Sequence, residues 1–253
     1  MASNPNGGPK DIDEFTELFK EIEEKGFIHS HRQNDTGIGK TLEDLLGIEE
    51  NDNQAPDFAD YELKTRRLNG SNSMTTLFTK SPDIKGANSR LREEYGYKRD
   101  GTKEIHCTIQ YGKETPIPNG KGTKLGMEFV GSRLYLTTNG KPIEYAYYEL
   151  SSLEKSLESK YISGKAVFVG AISRGPRTDE EFHYVQASEA RGLDIDNFIK
   201  LVKEGVIRFD LRLGAYPDGR VHDHGSGFRI YPKDERLLFD ELKILVDKYT
   251  SKL

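Results

Sequence analysis

The feature that most constrains the fold is the run AVFVGAI at residues 166–172, in which no residue is polar. A strand with one face in water alternates polar and apolar residues, whereas an unbroken apolar run of this length is typical of a strand covered on both faces. Charged residues make up 31% of the chain, so the run is not a by-product of an apolar composition. It predicts an inner strand of a sheet with further structure packed on each side.

Apolar periodicity predicts the elements around this strand. Helical spacing predicts helices at residues 10–25, 36–47, 151–160, 194–204 and 234–249. Period-two spacing and short apolar runs predict strands at residues 61–65, 74–79, 104–110, 125–130, 133–138, 143–149, 182–187 and 206–213. Residues 68–72 (LNGSN) and the pair Asn139-Gly140 predict two hairpin turns. Residues 48–56, 80–103 and 214–227 are predicted to be irregular. The fold class is therefore α/β (α+β) with a mixed sheet.

Length and cysteine content exclude several classes of protein. A chain of 253 residues buries a core without covalent cross-links. The single cysteine, Cys107, excludes a disulfide framework and a four-cysteine zinc site. No apolar run approaches the roughly 20 residues that span a bilayer, and the polar, acidic start resembles no targeting signal. We expect a protein of the reducing cytoplasm with no membrane partner.

The charge is distributed unevenly along the chain. The formal net charge is -5, which by itself argues against a polyanionic partner. However, the first 60 residues hold 5 Lys and Arg against 15 Asp and Glu, whereas the remaining residues hold 32 against 27. Polyanion binding depends on the local potential and not on the total charge. The distribution therefore permits nucleic-acid binding, and acidic side chains are also what a divalent cation requires.

The segment PDFADYELK at residues 56–64 carries the clearest chemistry. Residues two apart in a strand share a face, so Glu62 and Lys64 project together, and Asp57 enters from the preceding loop. Two carboxylates and an ammonium group suit metal-assisted phosphodiester hydrolysis. Asp57 and Glu62 would hold Mg²⁺, which polarises a phosphoryl oxygen and activates water, while Lys64 orients or deprotonates that water and offsets developing charge. Most Glu-x-Lys pairs in charged chains are merely solvated strand faces, so this motif needs context.

Three ordered blocks of sequence supply that context. The first block comprises TGIGKTLEDLLG (36–47), APDFADYELKT (55–65) and TLFTKSP (76–82). The second is KGANSRLR (85–92) followed by YG (95–96), and the third is DLRLGAY (210–216), HDHG (222–225) and FRI (228–230). Together they resemble the family of the restriction endonucleases MvaI and BcnI, with more likeness to the MvaI branch, and more distantly the mismatch-repair nickase MutH. The resemblance covers residues 25–100 and 165–231, whereas residues 104–164 match poorly.

The resemblance implies a fold and an active site. It implies a PD-(D/E)xK endonuclease core, with a mixed sheet flanked by helices and two lobes around a DNA cleft. Residues 10–173 would form mainly the catalytic lobe, residues 174–232 mainly the DNA-recognition lobe, and residues 233–253 a C-terminal helix. Asp57, Glu62 and Lys64 take the family's catalytic positions, with Asp57 and Glu62 as metal ligands, and Glu43 matches a supporting helix carboxylate.

The resemblance also implies an activity and partners. Members of this group act as monomers that cut double-stranded DNA at CC-N-GG sites, one strand after the other, and leave 5′-phosphate ends. The best match is CCWGG and the next is CCSGG. Mg²⁺ is the expected cofactor, Mn²⁺ is expected to substitute, and Ca²⁺ is expected to support binding only. A cognate DNA methyltransferase would be a functional partner without forming a stable complex.

A second set of residues has the chemistry of base and phosphate recognition. Arg212 and Arg229 suit bidentate contact with guanine, and Asp210 suits cytosine N4. The resemblance also places Tyr216, His222 and His224 at or near DNA, and the basic stretch that begins at Lys80 is predicted to contact phosphates. The alternative is structural: Asp210 and Arg212 would form an exposed strand pair, and the histidines and lysines would be ordinary loop residues.

Other functions remain open or receive little support. A MutH-like repair nickase and a catalytically silent DNA-binding protein on the same fold stay as alternatives. The segment GIGKT at residues 37–41 resembles a P-loop but has Asn34 where the first glycine is required. The pairs His29-x-His31 and His222-x-His224 lack cysteine partners for a structural zinc.

Overall fold

The computed structural model describes residues 7–49, 56–70, 73–99, 101–117 and 122–249. The chain forms two compact units, each built from separate segments. Unit 1 comprises Met1–Ser73, Glu158–Leu193 and Arg236–Leu253, and unit 2 comprises Met74–Leu157 and Asp194–Glu235. These bounds differ from the predicted continuous lobes, because pairing between strands that are distant in the chain decides which segments belong together. The catalytic and recognition roles assigned to the lobes stay predictions.

Within the described residues the secondary structure consists of five α-helices, two 3-10 helices and fifteen strands. The α-helices are α1 (Ile12–Glu24), α2 (Gly37–Leu45), α3 (Ala87–Tyr95), α4 (Leu150–Lys160) and α5 (Ile195–Lys203), and the 3-10 helices are Ile162–Gly164 and Pro232–Leu238. The strands are β1 (Ile28–His29), β2 (Glu62–Arg67), β3 (Thr75–Thr79), β4 (Tyr97–Arg99), β5 (Thr102–Ile109), β6 (Thr115–Pro116), β7 (Lys124–Val130), β8 (Arg133–Thr138), β9 (Lys141–Glu149), β10 (Ala166–Arg174), β11 (Glu181–Arg191), β12 (Arg208–Ala215), β13 (Val221–Asp223), β14 (Gly227–Ile230) and β15 (Glu241–Asp247).

Unit 1 contains a five-stranded mixed sheet. The strand order is β1-β11-β10-β2, and β15 also pairs with β11. The inner strand β10 is antiparallel to β11 and parallel to β2, and its residues from Ala166 to Ala171 are all buried. Val167 and Val169 belong to the core that also holds residues of α1 and α2, while Phe168 packs against Phe239. The predicted strand with two covered faces and the predicted α+β class are both confirmed.

The two helices of this core have the amphipathic pattern that their sequences predict. Asp11 caps α1 by accepting a hydrogen bond from the backbone N–H of Glu14 at 2.8 Å. Phe15 and Phe19 on its inner face are fully buried. Ile38 and Leu42 form the corresponding face of α2. These apolar faces hold α1 and α2 against the sheet that carries the segment 56–64.

Unit 2 contains two antiparallel sheets. The first has the order β3-β14-β12-β5-β4, with β13 also paired to β12, and the second has the order β6-β7-β8-β9. Asn139 and Gly140 have φ values of 50° and 68° and join β8 to β9, which confirms the predicted hairpin. The aromatic rings of Phe78, Phe209 and Phe228 pack together beside the first sheet.

Several sequence predictions are wrong. No hairpin joins the strands at 61–65 and 74–79: β2 pairs with β10 in unit 1, and β3 pairs with β14 in unit 2. Local turn residues were outweighed by pairing with distant strands, and residues 71 and 72 of the predicted turn lie outside the described residues. The stretch 80–103 was predicted to be irregular but holds α3 and β4, and residues 221–223 of the predicted loop form β13. Of the predicted loop 48–56, residues 50–55 also lie outside the described residues.

The predicted C-terminal helix is also wrong. Residues 232–238 form a 3-10 helix, and β15 follows it. The apolar residues of this segment fit a helix as well as a strand, and pairing with β11 settles the outcome by satisfying backbone groups that β11 would otherwise leave unpaired. None of the helices in the described part of the chain combines the length and apolar character that a membrane crossing requires.

Candidate functional site

A tight turn attaches Asp57 to the start of β2. The Asp57 N–H donates to the Tyr61 carbonyl at 3.1 Å, and Ala59 adopts a left-handed conformation with φ of 46°. The Asp57 carboxylate accepts a hydrogen bond from the Leu63 N–H at 2.6 Å. The hydroxyl of Tyr61 donates to the buried carboxylate of Glu189. The turn therefore holds the Asp57 carboxylate beside the strand that carries Glu62 and Lys64.

Glu62 and Lys64 form an ion pair on one face of β2. The Lys64 Nζ donates to Glu62 Oε1 at 2.6 Å, and the two side chains are 18% and 3% exposed, respectively. Burial acts to lower the pKa of Lys64, but the negative charge of Glu62 outweighs it and holds that pKa above its usual value. The lysine is consequently protonated at neutral pH. The structure brings together the three side chains that the motif predicted to converge.

The two carboxylates of this site interact with each other, and one of their oxygens has no hydrogen-bond partner among the described residues. Burial, reinforced by the nearby charge of Glu62, raises the pKa of Asp57 to about 6. Glu62 Oε2 is buried and has no hydrogen-bond partner among the described residues. Buried carboxylate oxygens are normally paired, so an unpartnered one needs an explanation. An oxygen donor of this kind beside a second carboxylate is suited to a hard divalent cation.

Lys160 and Tyr161 lie at the same site and were missed by sequence reasoning. The Lys160 Nζ is 3.7 Å from Glu62 Oε1, and the Lys64 Nζ is 6.0 Å from the centre of the Tyr161 ring. Lys160 ends a predicted helix and Tyr161 follows it, in the segment that resembles the family poorly. Nothing in their local sequence indicates this contact, because β2 lies almost a hundred residues earlier in the chain.

Glu43 lies on α2 near the other face of β2. A Cβ atom at Gly39 would be 3.7 Å from Glu43 Oε1 and 3.5 Å from Thr65 Oγ1, so the glycine allows the helix to approach the strand closely. Side chains of Thr65 and Lys64 point to opposite faces because they are adjacent in a strand. Glu43 therefore lies on the side of β2 that carries Thr65, and its predicted supporting role stays a prediction.

In unit 2, a buried carboxylate joins the two predicted guanine-reading arginines. Asp210 Oδ2 accepts from Arg212 Nε at 2.7 Å and lies 3.2 Å from Arg229 Nε, while its Oδ1 accepts from the Thr108 hydroxyl at 2.9 Å. Asp210 is 5% exposed, whereas the side chain of Arg212 is 44% exposed. The arrangement fixes the guanidinium groups and leaves Arg212 accessible. Both oxygens of Asp210 are engaged, so its predicted contact with cytosine stays a prediction.

A row of four rings lies beside these arginines. Tyr216 stacks on His222 with ring centres 4.1 Å apart, His222 lies 4.0 Å from His224, and His224 lies 6.2 Å from His106. Burial lowers the pKa of His224, and the neighbouring His222 and His106 lower it further. His106 extends the predicted group across β5, where it is the cross-strand neighbour of Arg212. Sequence reasoning missed His106 because it lies in the segment 104–164.

Part of the basic stretch 80–103 has structural partners. The Lys80 Nζ lies 3.1 Å from Asp83 Oδ1, and the Lys80 side chain is only 15% exposed. Arg92 donates to the carbonyls of Gly214 and Gly219 at 3.0 and 2.8 Å, so it holds the loop that precedes β13. These contacts favour the structural interpretation for Arg92, while the phosphate contact of Lys80 stays a prediction.

The described part of the chain contains no cluster of three or more His, Cys, Asp or Glu side chains placed to hold a metal ion. A divalent cation at Asp57 and Glu62 would therefore have two side-chain ligands and take its remaining oxygens from water, backbone or substrate. This coordination is usual for Mg²⁺, which keeps several waters and binds through one or two carboxylates.

The chain is similar to known proteins in sequence and in fold. The model of the MvaI/BcnI restriction endonuclease family matches residues 16–239. A solved complex of the restriction endonuclease MvaI with its cognate DNA substrate is 31% identical, with a TM-score of 0.81, over 92% of this chain and 98% of that one. MvaI in the absence of DNA is 32% identical, with a TM-score of 0.56, over 91% and 96% of the two chains. Curated protein sequences give no match.

Proposed function

The chain belongs to the MvaI/BcnI restriction endonuclease family, and we propose that it hydrolyses both strands of double-stranded DNA at a short CC-N-GG site. The observation that carries this proposal is the convergence of Asp57, Glu62 and Lys64 at the start of β2. The best candidate for the target is CCWGG, because the segments 36–41, 76–82 and 222–225 favour the MvaI branch. CCSGG is the second candidate.

We propose that Asp57 and Glu62 hold Mg²⁺. The donor set fits this ion: Glu62 Oε2 is buried without a partner among the described residues, and burial together with the nearby charge of Glu62 raises the pKa of Asp57. When bound, the cation would supply Lewis-acid activation of the phosphodiester and the attacking water. Mn²⁺ is expected to substitute, whereas Ca²⁺ is expected to permit DNA binding without cleavage.

The chain's own residues then have distinct tasks. Lys64 is protonated at neutral pH, so we assign it to orienting the attacking water and to stabilising charge at phosphorus, and not to removing a proton. The attacking water gives one proton to solvent as its oxygen bonds to phosphorus, the bond from phosphorus to the 3′ oxygen breaks, and that oxygen takes up one proton from solvent. The products are a 5′-phosphate and a 3′-hydroxyl. We keep Glu43 as a supporting residue.

Recognition of the site is assigned to unit 2. Arg212 and Arg229, held by Asp210, have the fork geometry that reads guanine O6 and N7 in the major groove. His222 and His224 present ring nitrogens, and Tyr216 stacks on His222. We assign a phosphate contact to Lys80, which directly follows β3. A target composed largely of G·C pairs requires such donors.

The proposed biological setting is defence against foreign DNA. The protein would act in the cytoplasm as a monomer with one active site, cutting one strand and then the other. A cognate DNA methyltransferase would protect the host copy of the site without forming a stable complex with this chain.

The test is digestion of unmethylated plasmid DNA with Mg²⁺, wild type beside Lys64→Ala, followed by sequencing of the ends. We expect double-strand breaks at CCWGG with the wild type alone. Breaks at CCSGG would reassign the central base. Nicks without double-strand breaks would support a MutH-like repair nickase, and binding without cleavage under Mg²⁺ or Mn²⁺ would support a silent DNA-binding protein.

A further inference from the structure

Two lysines share one oxygen of the catalytic carboxylate. The Lys64 Nζ lies 2.6 Å and the Lys160 Nζ 3.7 Å from Glu62 Oε1, and the Glu62 side chain is only 3% exposed. A buried carboxylate that loses its charge partner is strongly destabilising, because the remaining charge is neither hydrated nor compensated. Either lysine is therefore freer to leave Glu62 when the other one stays beside it.

Lys160 is the last residue of α4 and its side chain is 30% exposed. It contributes nothing to the sequence motif of the site, and it lies in the segment where the family resemblance is poor. Its contact with Glu62 depends wholly on the tertiary structure. The proposed mechanism leaves this second ammonium group without a task.

The geometry of Lys64 creates a conflict that a second lysine resolves. In the proposed reaction Lys64 must turn towards the attacking water and the phosphate, yet its ammonium group is bonded to Glu62. Departure of Lys64 alone would leave the buried Glu62 Oε1 without a donor, because a cation held at the unpartnered Oε2 would not replace that hydrogen bond. Lys160 already lies near the same oxygen, so it can pair with Oε1 while Lys64 serves the substrate.

We propose that Lys160 is a positioning residue that holds Glu62 Oε1 and so releases Lys64 for the reaction. This inference rests on the proposed nuclease function. It assigns Lys160 an action through Glu62 and no contact with the reacting atoms.

Thermal unfolding of the full metal-free chain tests the shared compensation. The variants are Lys64→Met, Lys160→Met and both together, each made in the wild type and in Glu62→Gln. We expect each single change to lower Tm modestly, because the other lysine still compensates Glu62. The double variant should lose more than the sum of the two, and this excess should vanish with Gln at position 62. Additive losses in both backgrounds would overturn the proposal.

Steady-state cleavage of a duplex oligonucleotide tests the positioning role. We expect Lys160→Met to lower kcat roughly 10- to 100-fold with KM unchanged, since an interaction made only along the reaction path affects kcat alone. Lys160→Arg should recover most of the rate because it keeps the charge. Lys155→Met, at an exposed lysine of the same helix, is the matched control and should match the wild type.

The two proposals fail in different ways. A raised KM with unchanged kcat in Lys160→Met would indicate a phosphate contact and overturn the positioning role. An unchanged kcat would overturn it as well, while cleavage by the wild type would leave the nuclease function intact. Absence of cleavage by the wild type under Mg²⁺ and Mn²⁺ would overturn the proposed function and, with it, the role of Lys160 in releasing Lys64.

Discussion

The charged clusters of the two units differ in burial and in origin. In unit 1, the Glu62–Lys64 pair is 3% and 18% exposed, and Asp57 joins it from five positions earlier in the chain. In unit 2, the buried Asp210 holds Arg212, which is 44% exposed, and Arg229, which is 13% exposed and comes from a different strand, so the difference in accessibility lies in Arg212. Bond cleavage benefits from charges fixed in a desolvated site, where electrostatic interactions are strong. Base reading requires guanidinium groups that are oriented yet still accessible.

The difference predicts that changes in the two clusters have separable effects. Lys64→Ala should lower the single-turnover cleavage rate about 1,000-fold, because it removes the charge that stabilises the transition state. Its Kd for a CC-N-GG duplex in Ca²⁺ should stay within a factor of about three of the wild-type value. A comparable loss of binding and cleavage would contradict the separation of the two clusters.

Asp210→Asn should have the opposite profile. The change removes the negative charge that orients Arg212 and Arg229, so we expect specific DNA binding to weaken about 30- to 100-fold. The cleavage rate at saturating protein should change much less. Competition binding with cognate and scrambled duplexes measures the loss, and Asp218→Asn, an exposed residue paired with Arg220, serves as the control. Equal weakening on both duplexes would indicate a general loss of charge or structure and not of base reading.

Asp57→Asn should stabilise the metal-free protein at neutral pH. Asp57 has a pKa of about 6 in the folded chain, above the 3.8 of an unperturbed group, so the folded state favours its protonated form. The contribution of Asp57 to stability is full below pH 3.8 and is lost as the pH rises through 6. We expect the variant to gain roughly 3 kcal/mol over the wild type at pH 8 and little at pH 4. Urea unfolding at both pH values measures this gain, and a destabilised variant at pH 8 would contradict the view that Asp57 is a strained site residue.

Gly214→Ala should have the smallest effect. A Cβ atom at Gly214 would lie 2.5 Å from His224 Nε2, so the ring of His224 must shift. The moved atoms belong to a side chain, and we expect a cost of about 1 kcal/mol, equivalent to about fivefold in Kd for cognate DNA. Gly219 lies in a loop with open space around it, but its φ of +85° would strain an alanine, so Gly219→Ala is a poor control. The better control is His224→Ala. In that background Gly214→Ala should cause no further loss, because the ring that the methyl group displaces is absent.

The sequence predicted correctly the features that depend on residues close together in the chain. Alternation along a strand was sufficient to place Glu62 and Lys64 on one face, and the apolar run at 166–172 was sufficient to predict a strand with two covered faces. The position of Asp57 beside this pair was also predictable, because its turn directly precedes β2. The same reasoning failed for β15, because its apolar residues fit two periods and only the edge of β11 selects between them. It also failed for the hairpin after β2, since parallel pairing with β10 overrides turn-forming residues.

The amino-acid sequence by itself determined the three catalytic candidates, the helix and strand content around them, and the family, because all of these depend on residues that are close in the chain or on ordered motifs. The tertiary structure alone decided that Lys160 meets Glu62, that Asp210 joins Arg212 to Arg229, and that His106 extends the histidine row. Each of these contacts links elements separated by many residues. Their formation depends on strand pairing and core packing, whose free energies are summed over a whole unit and cannot be read from any one segment.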